Sequence, residues 1–387
     1  MRVALVGEYP LREDAIHAGG IQSVTHGLAH ALARRDDVEC HVICAAAGAR
    51  ERERRVGRLA VHFVPRPPLP YLATCRLHDV PRLIARIRAL DPDIVHGQGQ
   101  DRHGLAAVRC RRPAVVTPHG VLFLESRLLR RHALDAPGAL KKHLLDHTER
   151  EVFRHAGDMI VISRYLPEVY GPLLGAHAHF IENPIDPAFF DLERAPEAGR
   201  LLFAGTIVPR KRVPDLVAAL AGARERAPGL RLRIAGPLSD PAEAARVRER
   251  IAALGLSAHA SLTGPLSQEE LFDEYRRAEL LVLSSREETA PQVIAQAMAC
   301  GLPVVAADAA GVPYMVRDGE TARLFPAGDA EACARCLVSL HGDADQRGRL
   351  AAEGRVQARR RFHPDAVAEQ TVAVYRQVLA RAGSTPR

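Results

Sequence analysis

The sequence alternates short β-branched runs with amphipathic helical stretches, and this alternation restarts after the middle of the chain. Such alternation is typical of βαβ units, whose strands form parallel sheets covered by helices. In the first half we predict strands at residues 3–6, 40–44, 61–64, 94–96, 114–117 and 159–162. In the second half we predict strands at residues 201–204, 232–235, 260–263, 280–283 and 303–306. The restart predicts two similar α/β domains rather than one continuous sheet.

The pattern weakens at residues 183–200, whose Pro and acidic residues are typical of a linker. A chain of 387 residues is long enough for two domains of ordinary size. We therefore predict an N-terminal domain at residues 1–185 and a C-terminal domain at residues 198–362. The Arg- and Glu-rich residues 50–55 are interpreted as a solvated loop.

Charge and composition narrow the classes of partner. Lys and Arg exceed Asp and Glu by 53 to 46, which gives a formal charge of +7 and suits a polyanionic partner. Nucleic acid is not expected, because aromatic residues make up only 4% of the chain and no nucleic-acid motif is present. The basic residues 127–142 are interpreted most simply as a solvated face, with a surface for anionic lipid or for an acceptor as the alternatives.

Cysteine usage and apolar runs indicate the compartment. The seven Cys lack the spacing of a disulfide framework, which is typical of reduced thiols. No uncharged apolar run approaches the roughly 18 residues of a membrane span. We expect a cytoplasmic protein, or one that binds peripherally to the inner face of a membrane.

Ligands of open parallel sheets bind beyond the carboxyl ends of the strands, where loops lead into helices. Two segments of the first half lie at such places. Gly19 and Gly20 precede the first predicted helix, whose N-terminal N–H groups can bind an anion. His119 follows the fifth strand in the segment Thr-Pro-His-Gly, where it can hydrogen-bond a ligand. A plain turn and a structural histidine are the alternatives.

A basic loop follows the first predicted strand of the second half. It begins at Gly205 and Thr206 and ends with the adjacent cations Arg210 and Lys211. Arg offers a fork of donors and Lys a point charge, so the pair suits a diphosphate. A solvated basic turn explains the same residues without a ligand.

The most informative segment is a strand, loop, helix and strand between residues 281 and 306. We predict a helix at residues 292–300, with Pro291 in its first turn and Gly301 as its C-terminal cap. Glu288 lies in the loop before this helix, and Gln296 lies further along it. Carboxylate and amide groups bind sugar and ribose hydroxyls, although an acidic residue there also complements the helix dipole.

Together these segments resemble the nucleotide-sugar-dependent glycosyltransferases of family 4. The resemblance spans nearly the whole chain and rests on residues 19–20, 92–96, 117–120, 183–186, 205–211, 288–301, 318–321 and 326–329. It implies the GT-B fold, an α/β fold of two Rossmann-like domains whose parallel sheets face each other across a cleft. It also implies that a C-terminal helix, at about residues 365–387, crosses back to the N-terminal domain.

The resemblance implies a retaining transferase that moves a hexose-type sugar from a UDP- or GDP-linked donor to an acceptor hydroxyl. No metal or other cofactor is implied. The acceptor, bound by the N-terminal domain, would be a saccharide, a lipid-linked saccharide or a small molecule. The implied catalytic residues are His119, Lys211 and Glu288. Arg210 and Lys211 would neutralise the donor diphosphate, and Glu288 would contact the transferred sugar.

The remaining implied contacts surround the donor. Phosphate or sugar would contact the backbone at the N-terminal end of the predicted helix, at Thr289, Ala290, Pro291 and Gln292. Gln296 would hold the ribose, and the backbone around Gly264 and Leu266 would face the base. Gly205 and Thr206 would form the donor loop, and Gly20 and His119 would close the site from the other domain.

Three positions depart from the family pattern. Thr206 stands where many members carry Arg, a charge that Arg210 can replace. Gln296 stands where the family has a second carboxylate, and Ala310-Gly311 stands where Gly-Gly is usual, which narrows the room near the donor. Two alternatives stay open: a non-hydrolysing sugar-nucleotide 2-epimerase, and a catalytically inactive module that binds nucleotide sugars.

Overall fold

The computed structural model describes residues 1–12, 20–47, 50, 52–67, 74–120, 136–174 and 177–384. The chain divides into two compact units. The first unit comprises Met1–Pro184 and Pro364–Arg387, and the second comprises Ile185–His363. Each unit has its own sheet and its own apolar core.

The sheet of the first unit has its strands in the order β3-β4-β2-β1-β5-β6-β7-β8. The strands are β1 (Arg2–Val6), β2 (Glu39–Ala47), β3 (Arg52–Val56), β4 (Leu59–Arg66), β5 (Ile94–Gln98), β6 (Ala114–Thr117), β7 (Asp158–Val161) and β8 (His177–Phe180). All neighbours are parallel except β3 and β4. The six strands predicted for the first half are confirmed, with small shifts of their ends. The order of strands along the sheet reverses between β1 and β5.

The interpretation of residues 50–55 as a solvated loop is wrong for β3. This strand pairs antiparallel with β4 through the tight turn at Gly57, whose φ is +57°. Its charged side chains are largely exposed because β3 lies at the edge of the sheet. Charged residues are common on edge strands, where they discourage pairing with other chains. Because β3 buries little apolar surface, its run of charged residues did not predict a strand.

The sheet of the second unit has the order β11-β10-β9-β12-β13-β14, and all its neighbours are parallel. Its strands are β9 (Arg200–Ala204), β10 (Arg231–Ala235), β11 (Ala260–Gly264), β12 (Leu280–Leu283), β13 (Val304–Asp308) and β14 (Arg323–Pro326). The five predicted strands are confirmed, and β14 is additional. This is the Rossmann order, with the reversal between β9 and β12.

Helices connect these strands. The α-helices are α1 (Gly20–Ala33), α2 (Val80–Leu90), α3 (Arg102–Arg109), α4 (Ala136–His155), α5 (Tyr165–Tyr170), α6 (Val213–Arg224), α7 (Pro241–Ala253), α8 (Gln268–Arg277), α9 (Gln292–Cys300), α10 (Val312–Met315), α11 (Ala330–Gly342), α12 (Ala344–Arg361) and α13 (Pro364–Ser384). Among the described residues, none of the helices is both long and apolar enough to cross a membrane. Residues 127–135 of the basic segment, and Gly19, lie outside the described residues.

The C-terminal helix α13 belongs to the first unit. Its residues Val367, Val372 and Val378 are buried in the core of that unit together with side chains of α1. Burying such a side chain contributes roughly 1.5–3 kcal/mol. The buried Tyr375 hydroxyl also lies 2.7 Å from His96 Nδ1 on β5, which ties the helix to the centre of the sheet.

The interpretation of residues 183–200 as a linker is wrong for the part that begins at Ile185. Phe189 and Phe190 lie in a 3₁₀ turn, Pro187–Phe190, and are buried in the core of the second unit. The Phe189 ring packs edge-on against Phe272 and Tyr275, with centroids 4.7 and 5.0 Å apart. Because Pro and acidic residues dominate the local composition, the sequence did not predict that these two Phe side chains are buried. The second unit therefore begins at Ile185 rather than at residue 198.

Candidate active site

The predicted diphosphate-binding residues lie in the loops that follow β9 and β12. These strands stand on either side of the strand-order reversal, where the loops lead to opposite faces of the sheet and leave a crevice. Gly205 and Thr206 come directly after β9, and the loop ends in a 3₁₀ turn, Pro209–Lys211. The loop after β12 carries Glu288 and leads into α9.

The structure brings Lys211, Arg210 and Glu288 together, as the predicted roles require. Lys211 Nζ donates to Glu288 Oε1, and both residues are only 7% exposed. Arg210 Nη1 lies 3.3 Å from Glu288 Oε2 and donates to the Glu287 carbonyl at 2.9 Å. The cluster thus carries two cations and one carboxylate.

The electrostatics of the cluster keep Glu288 ionised. Burial by itself would raise the pKa of Glu288, but the charges of Lys211 and Arg210 hold that pKa below its usual value. A buried charge is tolerated only when it is paired and hydrogen-bonded, since losing one partner costs roughly 3–5 kcal/mol. One positive charge remains uncompensated within the cluster, which favours an anion at the crevice.

Backbone contacts fix the position of the two cations. The Arg286 N–H donates to the Arg210 carbonyl at 2.8 Å, and the Ser284 hydroxyl donates to the Lys211 carbonyl at 2.9 Å. The loop after β12 therefore holds the loop after β9 at consecutive residues. Ser284 was not predicted as a site residue, although its position directly after β12 was a signal for it.

Two glycines shape the loops of the site, Gly205 through its backbone conformation and Gly311 through a close approach of two loops. Gly205 has φ +149°, which favours glycine, and its N–H donates to the Ala235 carbonyl at 2.8 Å. The Gly311 N–H donates to the Glu288 carbonyl at 2.7 Å. A Cβ at residue 311 would lie 2.8 Å from that carbonyl oxygen and closer still to the Thr289 oxygen. The loop after β13 therefore supports the loop that carries Glu288.

The loop residues Thr289, Ala290 and Pro291 lead into α9, which spans Gln292–Cys300 as predicted. Gly301 ends the helix with φ +71°, so the predicted cap is confirmed. Pro291 is the N-cap rather than the first helical residue, and no described side chain caps this end of the helix. Its first N–H groups are therefore available to an anion.

Two side chains of α9, Gln292 and Gln296, carry amide groups whose contacts differ. Within the described part of the chain, Gln292 Nε2 is buried without a hydrogen-bond partner. Gln296 Oε1 accepts a hydrogen bond from the Tyr275 hydroxyl at 2.9 Å. Burial raises the pKa of Tyr275 well above its usual value, so this hydroxyl stays a donor. Gln296 therefore keeps its NH₂ group for a ligand.

The residues predicted to face the base lie further along the sheet. Gly264 ends β11, two strands away from β9, with φ +76°. Its carbonyl accepts from the Gly236 N–H at 3.0 Å, which links the loops after β11 and β10. Leu266, the next predicted residue, packs at the margin of the apolar core.

The first unit holds the other two predicted residues. Gly20 is the first residue of α1, with open space where a Cβ would stand. His119 Nε2 lies 2.8 Å from Gln98 Oε1, and burial lowers the pKa of His119 to about 4, which keeps the imidazole neutral. The prediction that these two residues close the donor site stays a prediction.

A metal site was not expected from the sequence. Among the described residues, no group of three or more His, Cys, Asp or Glu side chains is placed to hold a metal ion.

Two family models match successive parts of the chain. The model described as Glycosyltransferase Family 4 matches residues 18–189, and the one described as Glycosyl transferases group 1 matches residues 185–357. Together they cover most of both units.

Two curated relatives are glycosyltransferases by name. A D-inositol 3-phosphate glycosyltransferase of Streptomyces bingchenggensis is 36% identical over 190 residues, which are 48% of this chain and 42% of the relative. The enzyme of that name from Streptomyces coelicolor is 30% identical over 261 residues, covering 66% of this chain and 56% of the relative. The chain thus spans about half the length of these relatives.

Solved structures show the same fold. A sucrose-phosphate synthase from Thermosynechococcus elongatus matches with a TM-score of 0.80 and 20% identity, covering 98% of this chain and 99% of that one. Anabaena HepE, in complex with UDP and glucose, matches with a TM-score of 0.73 and 18% identity, covering 96% and 98%. At these identities the likeness concerns the GT-B fold alone.

Proposed function

The chain belongs to glycosyltransferase family 4, and we propose that it transfers a hexose-type sugar from a nucleoside diphosphate sugar to an acceptor hydroxyl. UDP and GDP are the candidate carriers. Transfer proceeds with retention and without a metal, in the synthesis of a polysaccharide, a glycolipid or a glycosylated metabolite. HepE, a neighbour in fold, has been crystallised with UDP-glucose, which supports a donor of this class.

The observation that carries the proposal is the buried pair of Lys211 and Glu288 at the strand-order reversal, with the partly buried Arg210 beside it. A diphosphate needs positive charge that is held in place before the reaction, because charge grows on it as the sugar departs. Lys211 and Arg210 supply that charge, and the uncapped N-terminus of α9 adds N–H donors. Glu288 orients both cations and has its second role toward the hydroxyls of the sugar.

The proposed reaction follows from these groups. The bond between the sugar C1 and the diphosphate oxygen breaks, and its electron pair stays on the diphosphate. Lys211, Arg210 and the helix N–H groups stabilise this negative charge in place of a metal ion. The acceptor oxygen bonds to C1 on the face that the diphosphate leaves, and its proton passes to the departing phosphate oxygen.

The test measures nucleotide release from UDP-glucose and GDP-mannose, with and without monosaccharides, cyclitols and sugar phosphates as acceptors. Release that requires an acceptor supports transfer, whereas a changed nucleotide sugar without an acceptor indicates an epimerase. Binding of the donor without any release indicates an inactive module. Chelation with EDTA should leave the rate unchanged.

The matched variants are Lys211→Ala and Arg248→Ala, which remove a buried and an exposed cation of the second unit. We expect Lys211→Ala to lower turnover at least about a hundredfold, as loss of a charge-stabilising group does. Arg248→Ala should retain normal turnover. Equal rates for the two variants would refute the role of Lys211.

A further inference from the structure

His103 forms an oriented pair with Asp101 near the carboxyl end of β5. His103 Nδ1 lies 3.0 Å from Asp101 Oδ1, and the same oxygen caps α3 by accepting from the His103 N–H at 3.1 Å. Burial alone would raise the pKa of Asp101, but the imidazole N–H of His103 and the charge of Arg102 lower it to about 2. Asp101 is therefore a carboxylate that accepts the Nδ1 proton, and Nε2 is the ring nitrogen that remains for another partner.

His103 Nε2 has no partner within the described residues. His103 is only 4% exposed, and its Nε2 is buried without a hydrogen bond. An unsatisfied buried polar atom costs roughly 1–3 kcal/mol, so such groups in native structures usually meet water or a ligand. None of the site residues predicted from the sequence accounts for this nitrogen.

The surroundings of His103 are rigid. Arg102 Nη1 donates to the fully buried Asp79 carboxylate at 2.6 Å, which anchors the first turn of α3. The helix also packs directly on β5, since a Cβ on Gly97 would lie 2.9 Å from the Gly104 Cα. The imidazole is therefore positioned before any ligand arrives, which is what precise binding requires.

The loop after β5, which leads to His103, contacts the loop after β6, which carries His119. Gln98 Oε1 lies 2.8 Å from His119 Nε2, and Gln100 Nε2 donates to the Gly120 carbonyl at 2.8 Å.

Gln98 also decides the tautomer of His119. The Gln98 amide nitrogen lies 3.1 and 3.3 Å from the two ring nitrogens of His96, so its carbonyl oxygen faces His119. His119 Nε2 then carries the proton, and its buried Nδ1 has a lone pair without a partner in the described part of the chain. Two imidazoles thus each present a ring nitrogen without a partner in the described residues. Ring nitrogens of this kind form hydrogen bonds with hydroxyl groups, which both donate and accept.

We propose that His103 binds the acceptor substrate: its Nε2 forms a hydrogen bond with a hydroxyl of a polyol, and Asp101 holds the imidazole in the required orientation. The assignment to the acceptor rests on the proposed glycosyl transfer, in which the donor diphosphate binds the second unit. The substrate class is a polyhydroxylated molecule, because the nearby His119 Nδ1 offers a second hydrogen-bond acceptor for a further hydroxyl.

Binding is tested directly by NMR of the full chain labelled with ¹⁵N-histidine, titrated with glucose, myo-inositol and glycerol in the absence of donor. The Nε2 resonance of His103, assigned by its loss in His103→Leu, should shift with at least one of these polyols. No shift with any of them would overturn the proposal. A shift without any glycosyl transfer would retain the polyol site and reject the proposed function instead.

Kinetics with a polyol that serves as acceptor provide the second readout. We expect His103→Leu to lower kcat/KM for the polyol at least about tenfold, as loss of one hydrogen bond does, while KM for the nucleotide sugar stays within about twofold. His103→Gln, which keeps an oxygen near the Nε2 position, should recover part of the loss. The control His155→Leu, at an exposed histidine on α4, should leave both constants unchanged. Unchanged use of the polyol by His103→Leu, or an equal loss of donor affinity, would refute the assignment.

Discussion

Lys211 and Glu288 form a buried ion pair although they lie 77 residues apart in the sequence. The pair joins the loops after β9 and β12 at the strand-order reversal, and Arg210 contacts the second oxygen of the same carboxylate. A carboxylate shared by two cations fixes where both can lie. The geometry of the candidate diphosphate site therefore depends on Glu288 as much as on the cations.

We expect Glu288→Gln to lower transfer at least about a hundredfold, because the neutral amide no longer fixes both cations and contacts the sugar less strongly. The buried Lys211 without its counter-charge should also destabilise the free protein by about 3–5 kcal/mol. Added UDP should recover part of this stability, since its diphosphate restores negative charge. Thermal unfolding with and without UDP measures the effect, and a melting temperature equal to that of the unchanged protein would contradict it.

Gly311→Ala should impair the site through the backbone. The new Cβ would lie 2.8 Å from the Glu288 carbonyl and closer to that of Thr289, so the loop that carries Glu288 must move. A displacement of about 1 Å can cost about a hundredfold in rate. Initial rates under donor saturation measure this loss.

The control for that variant is Gly348→Ala on α12, where nothing lies within 4 Å of the new Cβ. Alanine there should stabilise the helix by roughly 0.5–1 kcal/mol and leave the rate unchanged. Comparable activity of the two variants would contradict the proposed support of the Glu288 loop by Gly311.

Ala310→Gly should stabilise the protein. Ala310 has φ +50°, a left-handed conformation that costs an L-residue with a Cβ roughly 1–2 kcal/mol and costs glycine little. The greater freedom of glycine in the unfolded chain offsets part of this gain. We expect a net gain of a few tenths to about 1 kcal/mol in denaturant unfolding, and a lower stability would show that Ala310 is not strained.

Tyr275→Phe should weaken donor binding without loss of the fold. The hydroxyl of Tyr275 holds Gln296 Oε1, and without it the amide can rotate and no longer presents its NH₂ group in one direction. KM for the nucleotide sugar should rise by about threefold to tenfold, the effect of one lost hydrogen bond, with a smaller change in kcat. The double variant Tyr275→Phe, Gln296→Ala should be no worse than Gln296→Ala alone. Additive losses would exclude an effect through Gln296.

The architecture and the proximity of Lys211, Arg210 and Glu288 followed from the sequence because both depend on local order along the chain. Strand, loop and helix succeed one another around Lys211 and Glu288, and parallel strands bring their carboxyl ends to one edge. Residues 185–190 did not follow, because the burial of two aromatic rings depends on partners distant in the sequence. The strand β3 did not follow, because its charged and largely exposed residues lack the apolar pattern of a strand.

The contacts that orient the site residues could not be predicted from the sequence either. Tyr275 reaches Gln296 from another helix, and Gln98 reaches His119 from a neighbouring strand. The sequence distinguishes Gly311 only as part of an unusual Ala-Gly pair. Its contact with Glu288 depends on how two loops pack. The pair of Asp101 and His103 is close in sequence, but the unpartnered Nε2 becomes visible only once burial is known.

Stability should fall as the pH is lowered, in part because of His96. This imidazole is 1% exposed between Tyr375 and Thr117, and burial lowers the pKa of His96 to about 3, from 6.5 in the unfolded chain. Below pH 6.5 the unfolded chain binds a proton that the folded chain does not, so stability is lost progressively until the pH reaches the folded value near 3.

At a pH of about 5 the resulting loss from His96 is roughly 2 kcal/mol relative to neutral pH. The variant His96→Asn should be less stable at neutral pH, because it loses the imidazole contacts with Tyr375 and Thr117. Since asparagine does not titrate, the stability of this variant should fall less on acidification, by about that amount. Calorimetric unfolding of both proteins at the two pH values measures the difference. An identical loss in the two proteins would mean that His96 does not contribute, and that other buried groups, such as the His119 imidazole, account for the acid sensitivity.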